Sequence, residues 1–109
     1  MLLQPIRHET VNLTVPAHQE LDYRVGMQAG ATLVYAWSTG RRGETLQCEF
    51  AGQQSSPASE AHSAFVAQSS GWYRWRWKNP GSRAVTVHFK LSGSYEPASI
   101  APASIPYDR

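Results

Sequence analysis

Between Val11 and Leu91 apolar and polar side chains alternate, mostly with a period of two. That is the pattern of β-strands with one buried and one wet face. Val11, Leu13 and Val15 alternate with Asn12 and Thr14 until Pro16 ends the run. Leu21, Tyr23, Val25 and Met27 alternate with Asp22, Arg24 and Gly26, and Ala29-Gly30 reads as a turn. Leu33, Tyr35 and Trp37 lie on a strand apolar on both faces, as a central strand would be. Leu46, Cys48 and Phe50 follow, then a small, polar stretch from Ala51 to Ser59 that reads as loop. Ser63, Phe65 and Ala67 make a weaker strand. Tyr73, Trp75 and Trp77 alternate with Arg74, Arg76 and Lys78. Asn79-Pro80-Gly81-Ser82 is a strong turn, because proline presets φ and glycine tolerates φ > 0. Val85, Val87, Phe89 and Leu91 close the series.

Strands of this kind belong to antiparallel sheets, and no amphipathic helix is left to build βαβ units. The pattern predicts an all-β chain, a single antiparallel two-sheet β-sandwich of about seven to eight strands. Residues 1–7 are expected to be a flexible N-terminus and residues 8–95 the sandwich. Residues 96–109, with Pro-Ala-Ser-Ile written twice, are expected to be a tail or linker.

Composition agrees with one domain. The chain has 109 residues, of which 41% are hydrophobic and only 17% charged. A sheet surface can run on Thr, Ser and Gln with so few charges, whereas helical surfaces need more. No stretch approaches the roughly 18 apolar residues of a membrane helix. Met1-Leu2-Leu3 meets Gln4, Pro5 and Arg7 at once, leaving no signal-peptide core. Read as complete, the chain is expected in the cytoplasm. Read as an excised domain, it is expected to be membrane-attached or extracytoplasmic.

The net charge of +2 hides an asymmetry. Arg74, Arg76, Lys78, Arg83 and Lys90 fall in residues 61–95 with no acidic residue among them. On the Trp72–Lys78 strand, Tyr73, Trp75 and Trp77 point one way and fill the core. Trp72, Arg74, Arg76 and Lys78 point the other way. Burying three unpaired cations costs several kcal/mol, so this face must meet water, acidic neighbours or a partner. Glu20, Asp22 and Glu49 can pair with it across strands. Alternatively it forms a basic strip for a protein or an anionic membrane surface, with Arg41 and Arg42 on one loop and Arg83 on a turn joining it.

Other chemistry has less support. His8, His18, His62 and His88 do not stand at i, i+2 on any one strand, so no metal or cofactor is expected. Rings and cations on opposite faces of the Trp72 strand argue against nucleic acid. No nucleophile elbow, P-loop or His-Glu-x-x-His run is present. Cys48 falls at an inward, apolar position, where a thiol is inert.

The order of these segments resembles the GOLD (Golgi-dynamics) domain family across residues 8–95. Val15 to Tyr23 is similar to its opening strand, and Gly30 to Trp37 to its glycine-then-apolar strand. Gly71-Trp72-Tyr73-Arg74-Trp75-Arg76-Trp77-Lys78-Asn79 resembles the family's most recognisable stretch. Val85 to Leu91 matches the closing strand, as it also does in bacterial membrane-anchored proteins with a GOLD-like domain. The chain departs from those relatives at Ser70 and at Ala51-Gly52, where they carry histidine. The resemblance implies a β-sandwich used for protein or membrane-proximal contacts, without catalytic residues. The expected function is a non-catalytic interaction module binding a protein partner through Trp72, Arg74, Arg76 and Lys78. The alternative is a small carbohydrate-binding module, which needs exposed coplanar rings. An exposed edge strand also permits homo-oligomers by strand pairing.

Overall fold

The computed structural model describes residues 6–41 and 43–97. They form strands β1 (Ile6–Val15), β2 (Glu20–Met27), β3 (Thr32–Ser38), β4 (Gln47–Phe50), β5 (Gln53–Gln54), β6 (Glu60–Val66), β7 (Gly71–Lys78), β8 (Val85–Ser94) and β9 (Glu96–Pro97). Two antiparallel sheets result, ordered β1-β8-β3-β6 and β5-β4-β7-β2-β9. The pairing is nested: β1 with β8, β2 with β7, β3 with β6, β4 with β5. A long hairpin rolled up so that its successive arms alternate between two sheets gives this order, which is the jelly-roll form of the β-sandwich.

The expected sandwich is therefore present, and its alternation is its core. Leu33 and Trp37 of β3, Val87, Phe89 and Leu91 of β8, Cys48 and Phe50 of β4, and Trp75 and Trp77 of β7 are all buried. Phe50 stacks on Trp75 with centroids 4.2 Å apart, and Trp77 meets Phe89 edge-on at 4.9 Å.

Three boundaries differ from expectation. β1 begins at Ile6, so Ile6 and Arg7 belong to the sheet rather than to a loose end. Arg7 and Glu9 occupy inward positions and are satisfied there: Arg7 Nε donates to the Tyr95 carbonyl at 3.0 Å, and the Tyr95 hydroxyl donates to Glu9 at 2.7 Å. The 51–59 loop contains the short β5, closed by a two-residue turn in which Ala51 (φ 53) and Gly52 (φ 82) are both left-handed. That is the signature of a type I′ hairpin. Finally, Glu96–Pro97 pair with Val25 and Gly26 as β9 instead of starting a tail. The expected tail beyond residue 97 lies outside the described residues.

Two polar or backbone details hold the ends. Asn79, at the end of β7, is 3% exposed. Its Nδ2 donates to the carbonyls of Val15, Pro16 and Arg83 at 3.1, 3.2 and 2.7 Å, and its Oδ1 accepts from Gly81 N at 2.9 Å. One side chain thus ties β1, the β1–β2 loop and the β7–β8 loop together. At the other end, a Cβ on Gly93 would sit 2.3 Å from the Thr32 carbonyl oxygen, so β8 and β3 meet only because this residue lacks a side chain. Among the described residues no helix is long and apolar enough to cross a membrane.

Candidate functional site

The outer face of the five-stranded sheet carries Trp72, Arg74, Arg76 and Lys78, as the β7 alternation requires. Its charge is set by what stands across from each. Arg76 lies between Asp22 of β2 and Glu49 of β4. Its Nε donates to Asp22 Oδ1 at 2.8 Å and an Nη donates to Oδ2 at 3.1 Å, with Glu20 3.5 Å away. The two-toothed bond to Asp22 holds the guanidinium more firmly charged than a free arginine. Lys78 sits between Glu20 and Gln47. Arg74 faces Arg24, whose guanidinium stands over the Trp72 ring at 5.1 Å. The Trp72 ring in turn lies across Gly26, where a Cβ would be only 3.5 Å from it.

Four cations on this face, Arg24, Arg74, Arg76 and Lys78, are thus matched by four anions, Glu20, Asp22, Glu49 and Glu96. The strip that is basic in sequence is balanced in space, because β2 and β4 deliver the acidic neighbours. Arg41 and Arg83 are exposed on the β3–β4 and β7–β8 loops. Both loops leave the Lys78 end, since Ser38 pairs with His88 near the start of β8. Trp72 stands at the opposite end, six residues along β7 or about 20 Å away. Arg42 lies outside the described residues. The residues singled out from the sequence therefore share a face or an end, but not one compact site.

A second feature lies on the open side of the sandwich, where β6 ends one sheet and β4–β5 end the other. A cleft of about 440 Å³ runs between them. Tyr35, Trp37, Phe50 and Phe65 supply its rings, and Gln53, Gln54, Ser55 and Ser63 its polar groups. Among the described residues no charged one lines it. Burial, then the nearby Cys48, raises the Tyr35 phenol above its usual range. Burial, reinforced by Glu49, pushes the Cys48 thiol up to about 12, so it stays protonated at neutral pH. Among the described residues no three His, Cys, Asp or Glu side chains are grouped to hold a metal.

Among the described residues, the wall of this cleft is also a bare sheet edge. Thr39 N donates to the Ser59 carbonyl at 2.9 Å, and Ala67 N to the Ala31 carbonyl at 2.9 Å. Ser59 and Ala67 thus turn their backbone groups toward the β3 side. Direction alternates along an antiparallel strand. Ala61, Ser63 and Phe65 therefore also face β3, and Glu60, His62, Ala64 and Val66 aim their N–H and C=O groups outward. The Ala64 carbonyl takes the Ser63 hydroxyl at 3.3 Å.

Folded proteins protect such edges with short strands, proline, covers or inward charges. β5 is two residues long, β9 covers part of β2, and β1 carries inward Arg7 and Glu9. β6 has seven residues; Leu46 pairs with Ala58 just before it, and from Glu60 to Val66 none of these devices is found among the described residues. The sequence signal for it was modest: a strand whose inward row is small and polar apart from Phe65.

No family model matches the chain, and no curated protein does. Solved structures share its fold. The chain is similar to the Yersinia pseudotuberculosis-derived mitogen, with a TM-score of 0.59 and 12% identity over 94% of this chain and 96% of that one. It is also similar to a de novo designed double-stranded β-helix, with a TM-score of 0.52 and 16% identity over 79% and 99% of the two chains. At these identities the likeness is one of fold alone.

Proposed function

We propose that this chain is a non-catalytic interaction module that takes a protein partner along its open side, by strand addition to β6. The observation that carries this reading is the row of outward backbone groups on Glu60, His62, Ala64 and Val66, unprotected by the means used at the other edges. Strand addition supplies affinity through main-chain hydrogen bonds and specificity through pockets for alternate side chains. The cleft behind β6 is such a pocket. A protonated, buried Cys48 gives no support to nucleophilic chemistry.

The rings of the open side favour a peptide over a sugar. Phe50 meets Phe65 at 76° and Phe65 meets Tyr73 at 62°, so these pairs do not form the flat platform on which a sugar ring stacks. Trp72 is 58% exposed and braced by Arg24, which favours the far end of the β7 face as a second protein contact.

The test uses proline as an edge block. Ala64→Pro removes an outward donor and leaves the β3 ladder intact. Peptides selected from a random displayed library on the wild type should lose binding to Ala64→Pro, with the near-ultraviolet circular dichroism of the tryptophans unchanged. Equal binding by both proteins would remove β6 from the site.

A further inference from the structure

We propose that the strand added to β6 comes from a second copy of this chain, giving a two-fold dimer centred on Ser63. The inference rests on the reading of β6 as the docking edge, and it follows from that strand's self-complementarity. Outward-facing residues must pair with outward-facing residues, so an antiparallel β6–β6 pair matches even numbers with even numbers. Centred on Ser63, His62 exchanges hydrogen bonds with the second copy's Ala64, and Glu60 with its Val66. All four outward residues are then used in each copy.

The side chains fit the same register. On the inward face Ala61 stands opposite the second copy's Phe65, small against large, twice by symmetry. Ala61 and Phe65 both line the cleft, so each copy contributes a ring to the mouth of its neighbour's cleft. Ser63 faces Ser63, a pair that can share a hydrogen bond. On the outer face Glu60 meets Val66 and His62 meets Ala64, so no like charges oppose. Sliding the strands by two residues one way sets His62 against His62. Sliding them the other way leaves Glu60 beyond the end of the pairing strand. The Ser63-centred register has neither fault.

Such an assembly closes. The joined sheet runs β1-β8-β3-β6 and then the same four strands in reverse. Its two outer edges are both β1, where Arg7 and Glu9 point inward. Inward charge at an edge blocks further pairing, so growth stops at two copies, as a two-fold interface requires.

Sedimentation over a concentration series should give twice the chain mass for wild type. Ala64→Pro and Ser63→Lys, which places a charge inward at the edge, should remain at the chain mass while keeping wild-type circular dichroism. Register is read by cross-linking. Opposed residues of this type lie about 4.5 Å apart at Cα, within disulfide range, so Ser63→Cys should oxidise to a covalent dimer and Ala61→Cys should not. Dimers that persist in Ala64→Pro, or equal cross-linking at both positions, overturn the proposal. A wild type that stays at the chain mass also overturns it. If selected peptides nevertheless slow exchange of the His62, Ala64 and Val66 amides, the edge reading stands and only the second copy falls.

Discussion

Asn79 makes four hydrogen bonds from a buried position, donating to the adjacent Val15 and Pro16 carbonyls and to that of Arg83, and accepting from Gly81 N. Removing that amide takes a donor from the Val15 and Arg83 carbonyls and an acceptor from Gly81 N, while the Pro16 carbonyl still accepts from Gln19 N. Asn79→Ala should cost about 2–4 kcal/mol, measured by urea unfolding. Arg76 illustrates the opposite case. Its side chain and that of Asp22 are 26% and 13% exposed, so the pair is partly wet. Arg76→Met should cost only about 1 kcal/mol, less at high salt. Ala51 holds a left-handed φ of 53 that glycine adopts freely. Ala51→Gly should therefore stabilise the hairpin by roughly 0.5–1 kcal/mol, seen as a raised urea midpoint. Residue-level reading of the sequence located the outward row Trp72, Arg74, Arg76 and Lys78 and named the acidic residues able to pair with it. It did not reach the Arg24–Trp72 contact, because which residues of β2 and β7 face one another depends on register.

At the scale of elements, the alternation of apolar residues placed every long strand, because each has one face in a common core. It stopped short at β1 because Arg7 and Glu9 interrupt the apolar row, and their partner Tyr95 lies 88 and 86 residues away in sequence. The cleft was beyond reach for a similar reason: β3, β4–β5 and β6 build it together, and no one segment carries its signature. β8 depends on Gly93 at its contact with β3. Gly93→Ala would force the Thr32 carbonyl aside and open that part of the ladder. The expected outcome is loss of the cooperative unfolding transition, or a midpoint far below that of any other variant named here.

For the molecule as a whole, the buried acids set the alkaline limit. Tyr23, Tyr35 and Tyr95 are all raised, chiefly by burial, and Cys48 is raised from 9.0 to about 12. A raised folded pKa means that the unfolded chain releases its proton first as pH climbs. The folded state then binds more protons than the unfolded one, and stability falls with pH. Unfolding free energy should thus be flat near neutrality and decline from about pH 9, first through Cys48 and then through the tyrosines. Cys48→Ala should remove the early part of that decline when urea midpoints are compared across pH.

The nested pairing has a consequence in time as well as in space. Of the described strands β1 is made before the others but has no partner until β8, where Val15 meets Val85, and only the small β4–β5 hairpin pairs locally. Fragments cut anywhere before β8 lack the strand that joins β1 to β3, so the four-stranded sheet cannot form until β8 has been made. Folding should accordingly be slow for the chain's size, in the range of about milliseconds to seconds typical of long-range β pairing. Until then β1 and β3 lack the strand that stands between them, and their apolar rows face other unfinished copies, so dilution during refolding should raise the yield of folded chain.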